Sequence, residues 1–148
     1  MKSASIYKLK NGYIIHSSSK TTAGFWISDE PYFKLGNDAT IEEVVNKVLL
    51  ALQSSKNGII APIDSRGTTK EFLKLIGLKS LKELHENSVK YCSVSLINNT
   101  IIFGPSKHAE HSRNGFLYKP ENESVRVPFN ANFEQIGNAL ADAFSKCE

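Results

Sequence analysis

VKYCSVSLINNTIIF, the stretch from Val89 to Phe103, decides how this chain folds. Polar and apolar residues alternate up to Ile97, which places Cys92, Val94 and Leu96 on one face of a strand. Asn98-Asn99 then supplies two residues that tolerate the positive φ of a tight hairpin turn, and Thr100 to Phe103 returns as a second strand. Gly104-Pro105 predicts the end of that strand.

The same grammar recurs on either side. Toward the amino end, Tyr7 and Leu9 are followed by Asn11-Gly12 and then Tyr13-Ile14-Ile15, a second hairpin. A polar stretch runs from Ser17 to Thr22, and Gly24 to Ile27 predicts a third strand that stops at Asp29-Glu30-Pro31, leaving 29–38 as a loop. Toward the carboxyl end, Gly115 to Tyr118 and Val125 to Val127 predict strands that pair with each other around the loop Lys119 to Glu123.

Helices are interpolated between these hairpins. Thr40 with Glu43 has the spacing of a capping box, and Ile41, Val44, Val45, Val48, Leu49 and Leu52 follow at helical period. Ile59, Ile60 and Ile63 predict a short buried strand containing Pro62. Thr68 with Glu71, and Ser80 with Glu83, predict two short helices: Phe72, Leu73, Ile76, Leu81 and Leu84 face inward, and Lys70, Lys74, Lys79 and Lys82 face water. A last helix starts behind Asn132 with Phe133, Ile136, Leu140, Phe144 and Cys147 on one face and the small Gly137 and Ala141 allowing close approach. Strands in hairpins with interpolated helices read as α+β: a mainly antiparallel sheet packed against a few helices, in a single domain spanning residues 1–148.

A chain of 148 residues with 18 basic and 15 acidic side chains is nearly balanced at +3. That length excludes most two-domain enzymes and is enough to bury roughly two-thirds of the unfolded surface without staples. Neither a signal-peptide-like start nor a run of membrane-spanning length is present, so a cytoplasmic protein with no membrane association is expected. Cys92 and Cys147, far apart in sequence, make neither a disulfide framework nor a zinc-ligand spacing, and two free thiols with no metal and no cofactor are expected.

The densest functional cluster is His108-Ala109-Glu110-His111-Ser112-Arg113. It is not His-Glu-x-x-His, because the glutamate adjoins the second histidine, and His108-Ala109-Glu110 lacks the Pro-Cys-x-x-Cys partner of a zinc deaminase. Two imidazoles and a guanidinium can run phosphodiester or other hydrolytic chemistry, so an enzyme built on the His108–Arg113 loop is one alternative. A nucleic-acid-binding domain using the lysine-rich face of residues 66–90 is another, but that face has a small net charge and little aromatic interleaving, so no nucleic acid is expected. Nucleotide-binding glycine loops and nucleophile elbows are absent from the sequence.

Charge is nevertheless unevenly distributed. Residues 29–43 carry Asp29, Glu30, Asp38, Glu42 and Glu43 against Lys34 alone. The dipole of the first helix accounts for Asp38, Glu42 and Glu43 but not for Asp29 and Glu30. With Tyr32 and Phe33, these two acids predict an acidic-aromatic surface suited to a basic protein partner.

The order Gly24-Phe25-Trp26, Leu35-Gly36, Ala51-Leu52 with Ser54-Ser55, and Gly77-Leu78-Lys79-Ser80 resembles the immunity proteins of bacterial contact-dependent growth inhibition systems, across residues 24–148. The resemblance implies a small cytoplasmic α+β protein, without catalytic residues, that binds and neutralises the C-terminal toxin domain of a cognate effector. Candidate partner-binding residues are then Asp29, Glu30, Tyr32 and Phe33, together with His108, Glu110, His111 and Arg113. The positive net charge departs from the acidity common among immunity proteins that face nucleases.

Overall fold

The computed structural model describes residues 1–61, 65–86, 88–109 and 115–148, with backbone only for 65–69. Two hairpins form its centre. Strand β1 (Lys2–Leu9) turns through Lys10-Asn11 into β2 (Gly12–Thr21), and β5 (Lys90–Ile97) turns through Asn98-Asn99 into β6 (Thr100–His108). Both asparagines adopt positive φ, 50° and 60°, as the turn requires. Gly12 is needed for a different reason: a Cβ there would overlap the Leu35 carbonyl of the neighbouring strand.

Among the described residues the sheet has eight strands. Its main path is β3-β2-β1-β5-β6-β7, with β3 spanning Trp26–Gly36 and β7 spanning Phe116–Tyr118. β4 (Asn57–Ile59) lies parallel to β2, and β8 (Val125–Pro128) pairs with β6. The remaining pairings are antiparallel.

Side-chain alternation divides the core. Ala4, Ile6, Ile15, Cys92, Val94, Ile101 and Phe103 point to one face, where α1 (Ile41–Gln53) and α4 (Phe133–Ser145) cover them with Val44, Val45, Val48, Leu52, Ile136, Leu140 and Phe144. Ile14, next to Ile15, points to the opposite face and packs with Ile76 of α2 (Ser65–Ile76) and Leu84 of α3 (Leu81–Leu84). Three of the expected caps are present: Thr40 Oγ1 accepts the Glu43 N–H, Ser80 and Glu83 form a capping box, and Asn132 caps α4, where it adds a reciprocal box with Gln135. The four lysines of α2 and of the α3 region are exposed.

Several expectations are corrected. Residues 29–38 are not a loop, because β3 runs on to Gly36; the Asp29-Glu30-Pro31 stop signal is absorbed as a bulge. Ser17 to Thr21 continue β2, and Ser17, Ser18, Ser19 and Thr21 are buried. Bonds to the segment after α1 hold two of them: Ser55 Oγ donates to the Ser18 carbonyl, and Ser19 Oγ accepts the Lys56 N–H at 3.0 Å, whereas the buried Ser17 Oγ has no hydrogen-bond partner among the described residues. Gly104-Pro105 does not end β6, because Pro105 falls where the outer partner changes from β8 to β7 and no ladder bond needs its missing N–H. β7 and β8 do not pair with each other; both run back along β6, as one edge strand interrupted by a 3₁₀ turn, Glu121–Glu123.

β4 is exposed rather than buried, and Ile60 beyond it is 87% exposed. The predicted Ile63 and Pro62 lie outside the described residues. α2 begins at Ser65, about one turn before the predicted cap at Thr68. Leu81 and Phe133, assigned inward, are largely exposed, as is Ala141, whereas Gly137 does sit at the helix crossing.

Candidate functional site

β3 is an edge strand, and where it bulges it builds one wall of a groove. His16 pairs with Tyr32 and Ser17 with Asp29, so Glu30 and Pro31 are left over as the bulge. Asp29 secures it: Ser19 Oγ donates to Asp29 Oδ2 at 2.7 Å, and the Glu30 N–H donates to Asp29 Oδ1 at 2.9 Å. Asp29 therefore has a structural role that the sequence reading did not assign. Glu30, extruded by the bulge, is exposed.

The opposite wall is α2. Phe72 meets the His16 ring edge-on at 5.4 Å and the Tyr32 ring at 5.6 Å, which docks the helix on β2 and β3. Glu71 and Leu75, one helical turn apart, then line the gap, and Ile59 and Ile60 close its end. The groove has a volume of about 520 Å³, and among the described residues Asp29, Glu30 and Glu71 are the charged groups that line it. Leu75 and Ile60, 54% and 87% exposed, add apolar surface beside them.

Tyr32 senses that charge. Burial first, and then the negative charges of Asp29, Glu71 and Glu30, hold its phenol above the ordinary tyrosine range, against an opposing hydrogen bond with Ser28. His16 behind it is buried, and its Nδ1–H donates to the Ser17 carbonyl at 2.7 Å. Burial keeps its imidazole below the usual histidine range, the bond to the Ser17 carbonyl opposing.

Of the four residues expected here, Asp29, Glu30 and Tyr32 share the groove. Phe33 does not. It faces the α1 side of the sheet, packed on the main core, with the Lys47 ammonium 4.8 Å above its ring.

The second expected cluster is distant, since His108 lies on β6, four strand positions away and so roughly 19 Å across the sheet. Its Nε2–H donates to the Val89 carbonyl at 2.7 Å and its ring packs 4.7 Å from that of Phe116, which fixes it structurally. Glu110, His111 and Arg113 lie outside the described residues. Among the described residues no group of three or more His, Cys, Asp or Glu side chains is arranged to hold a metal, and no helix is long and apolar enough to cross a membrane.

Sequence reasoning missed Glu71, Leu75 and Ile60. Glu71 was assigned to a cap, and Ile60 to a buried strand; only the non-local packing of α2 against β3 reveals them.

Residues 2–147 match the family described as CDI immunity protein. The chain belongs to that family. No functionally curated protein matches the sequence of this immunity protein. Among solved structures, its fold is similar to that of a protein of unknown function from Neisseria meningitidis, with a TM-score of 0.79 at 20% identity over 99% of this chain and 95% of the other. It is also similar to a chain of a CdiA-CT/CdiI toxin and immunity complex from Yersinia pseudotuberculosis, with a TM-score of 0.76 at 16% identity over 99% and 97%. At these identities the likeness is one of fold.

Proposed function

We propose that this immunity protein neutralises a cognate toxin domain by binding it in the groove between β3 and α2, without catalysis. The observation that carries the proposal is the convergence of three carboxylates, Asp29, Glu30 and Glu71, on one groove with exposed Ile60 and Leu75 and the ring of Tyr32. A groove with negative charge at its lip and apolar surface in its wall suits a basic segment that also carries an apolar anchor. The net charge of +3 does not oppose this, because at physiological ionic strength charges beyond ~8 Å are screened and local charge steers the partner.

The fixed geometry of His108 supports a non-catalytic reading, since its Nε2–H is committed to a backbone carbonyl and its ring to Phe116. His108, with Glu110, His111 and Arg113, then stands as a second, weaker candidate contact. The described lysines of the α2–α3 surface are read as a solvated face with no nucleic-acid partner.

Hydrogen exchange of the chain with and without the toxin domain encoded beside its gene tests the site. Protection is expected in β3 around Glu30 and in α2 around Glu71. Protection confined to β6 and the segment after it would move the interface to the His108 side.

A further inference from the structure

Cys92 and Cys147, read from the sequence as unrelated thiols, are brought together by the fold with their sulfurs 3.7 Å apart. Cys92 sits in β5 on the core face and is fully buried, whereas Cys147 follows the last turn of α4 and is only partly covered. The segment carrying Cys147 is held in place from several sides. The Cys147 N–H bonds the Phe144 carbonyl at 3.1 Å, Glu148 exchanges backbone bonds with Ser106 and His108 of β6 at 3.0 and 2.9 Å, and Lys119 Nζ donates to the Lys146 carbonyl at 2.9 Å. The two sulfurs therefore meet in a fixed arrangement and need to approach by only about 1.7 Å to reach bonding distance.

We propose that Cys92 and Cys147 form an oxidisable pair: Cys147 reacts with a hydroperoxide, and Cys92 then closes an intramolecular disulfide that staples the end of α4 to the central sheet. The assignment of roles follows from access, since only Cys147 can be reached from solvent. Charge agrees with it. A hydrogen bond from the Cys92 thiol, helped by a backbone bond at Ser106 and by the ammonium groups of Lys90 and Lys119, holds Cys147 at about 6, while that same bond and burial push Cys92 up.

In the first step the Cys147 thiolate attacks the peroxide, an S–O bond forms as the O–O bond breaks, and the departing oxygen takes a proton from water. The sulfur loses two electrons and becomes a sulfenic acid, and the peroxide is reduced to water or an alcohol. In the second, the Cys92 sulfur attacks the Cys147 sulfur, the S–S bond forms, the S–O bond breaks, and hydroxide leaves with the Cys92 proton as water. A thiol reductant reverses the product.

Treatment of the purified full chain with hydrogen peroxide, followed by unfolding, alkylation and intact mass measurement, tests this directly. The expected product is a monomer about 2 Da lighter that takes up no alkylating reagent, yields a peptide linking Cys92 to Cys147, and returns to two free thiols with dithiothreitol. In a Cys92→Ser variant the disulfide is lost and dimedone traps the sulfenic acid on Cys147. A wild-type product about 32 Da heavier, with Cys147 as sulfinic acid and Cys92 still alkylated, would overturn the proposal, as would a disulfide joining two chains. The wild-type mass alone decides between these results, so the proposal stays testable even if the variant fails to fold.

Discussion

Tyr32 and Phe33, consecutive residues of β3, serve opposite faces of the sheet: Tyr32 packs with His16 and Phe72 beside the acidic groove, and Phe33 lies on the α1 side under Lys47. Substituting them should therefore have separable effects. Tyr32→Ala is expected to speed dissociation of the toxin domain at least tenfold, as loss of an aromatic anchor costing ~2 kcal/mol would. Phe33→Ala is expected to leave both rates within about twofold while lowering stability by roughly 1–2 kcal/mol, less than the cost for a fully buried ring. Surface plasmon resonance and urea unfolding of both variants check the separation. Equal effects on binding would mean that the partner reaches round the sheet edge to both faces.

Asp29 is expected to behave as a structural residue. Its carboxylate accepts from Ser19 Oγ and from the Glu30 N–H, so Asp29→Ala leaves a buried hydroxyl and a bulge N–H without their partner. A loss of about 1–3 kcal/mol in urea unfolding is expected, whereas Glu30→Ala, at an exposed position, should stay within ~0.5 kcal/mol.

The crossing of α1 and α4 depends on Gly137. A Cβ at that position would overlap Ile41 Cγ1, so Gly137→Ala should destabilise the fold despite the better helix propensity of alanine. A cost of roughly 1–3 kcal/mol is expected, and combining it with Ile41→Ala, which removes the overlapping Cγ1, should recover part of it. Thermal unfolding of the two single variants and the double variant measures this coupling.

How much of this was legible in the sequence depends on the range of each signal. Asn98-Asn99, the Asn132 cap and the apolar period of α1 are local, and the fold keeps all three. Local signals that a neighbour can overrule were misleading. Pro105 is tolerated because the outer partner of β6 changes there, and Glu30-Pro31 becomes a bulge because β2 continues past it. Ser18 and Ser19 read only as part of a polar stretch because the bonds that hold them in β2 come from Ser55 and Lys56, more than thirty residues away. For the site, the acidity of Asp29 and Glu30 was visible, but the contribution of Glu71 and Leu75 was not, since nothing in a linear reading docks α2 on β3.

Acid should weaken the fold through His16. Burial lowers its folded pKa below that of the unfolded chain, so the unfolded state binds the extra proton as pH falls. The neutral histidine's full contribution is present above the unfolded value of about 6.5 and is lost as pH drops below it, by at most ~1.4 kcal/mol per pH unit. His85, lowered first by burial and then by the charge of His108, acts in the same direction. Urea midpoints measured from pH 7.5 to 5.5 should fall for the wild type and fall less steeply for His16→Phe.

Recognition of the toxin by local acidity in the β3–α2 groove is the central claim, and association kinetics at two salt concentrations test it most directly. Glu30→Lys with Glu71→Lys changes two exposed carboxylates at the groove without touching the core or the Asp29 hydrogen bonds. At low ionic strength the double variant is expected to associate with the toxin domain at least tenfold more slowly than the wild type, and the difference should shrink toward twofold near 0.5 M salt. Identical association rates for the two proteins at low salt, with full neutralisation retained, would contradict the claim and place the interface elsewhere on the molecule.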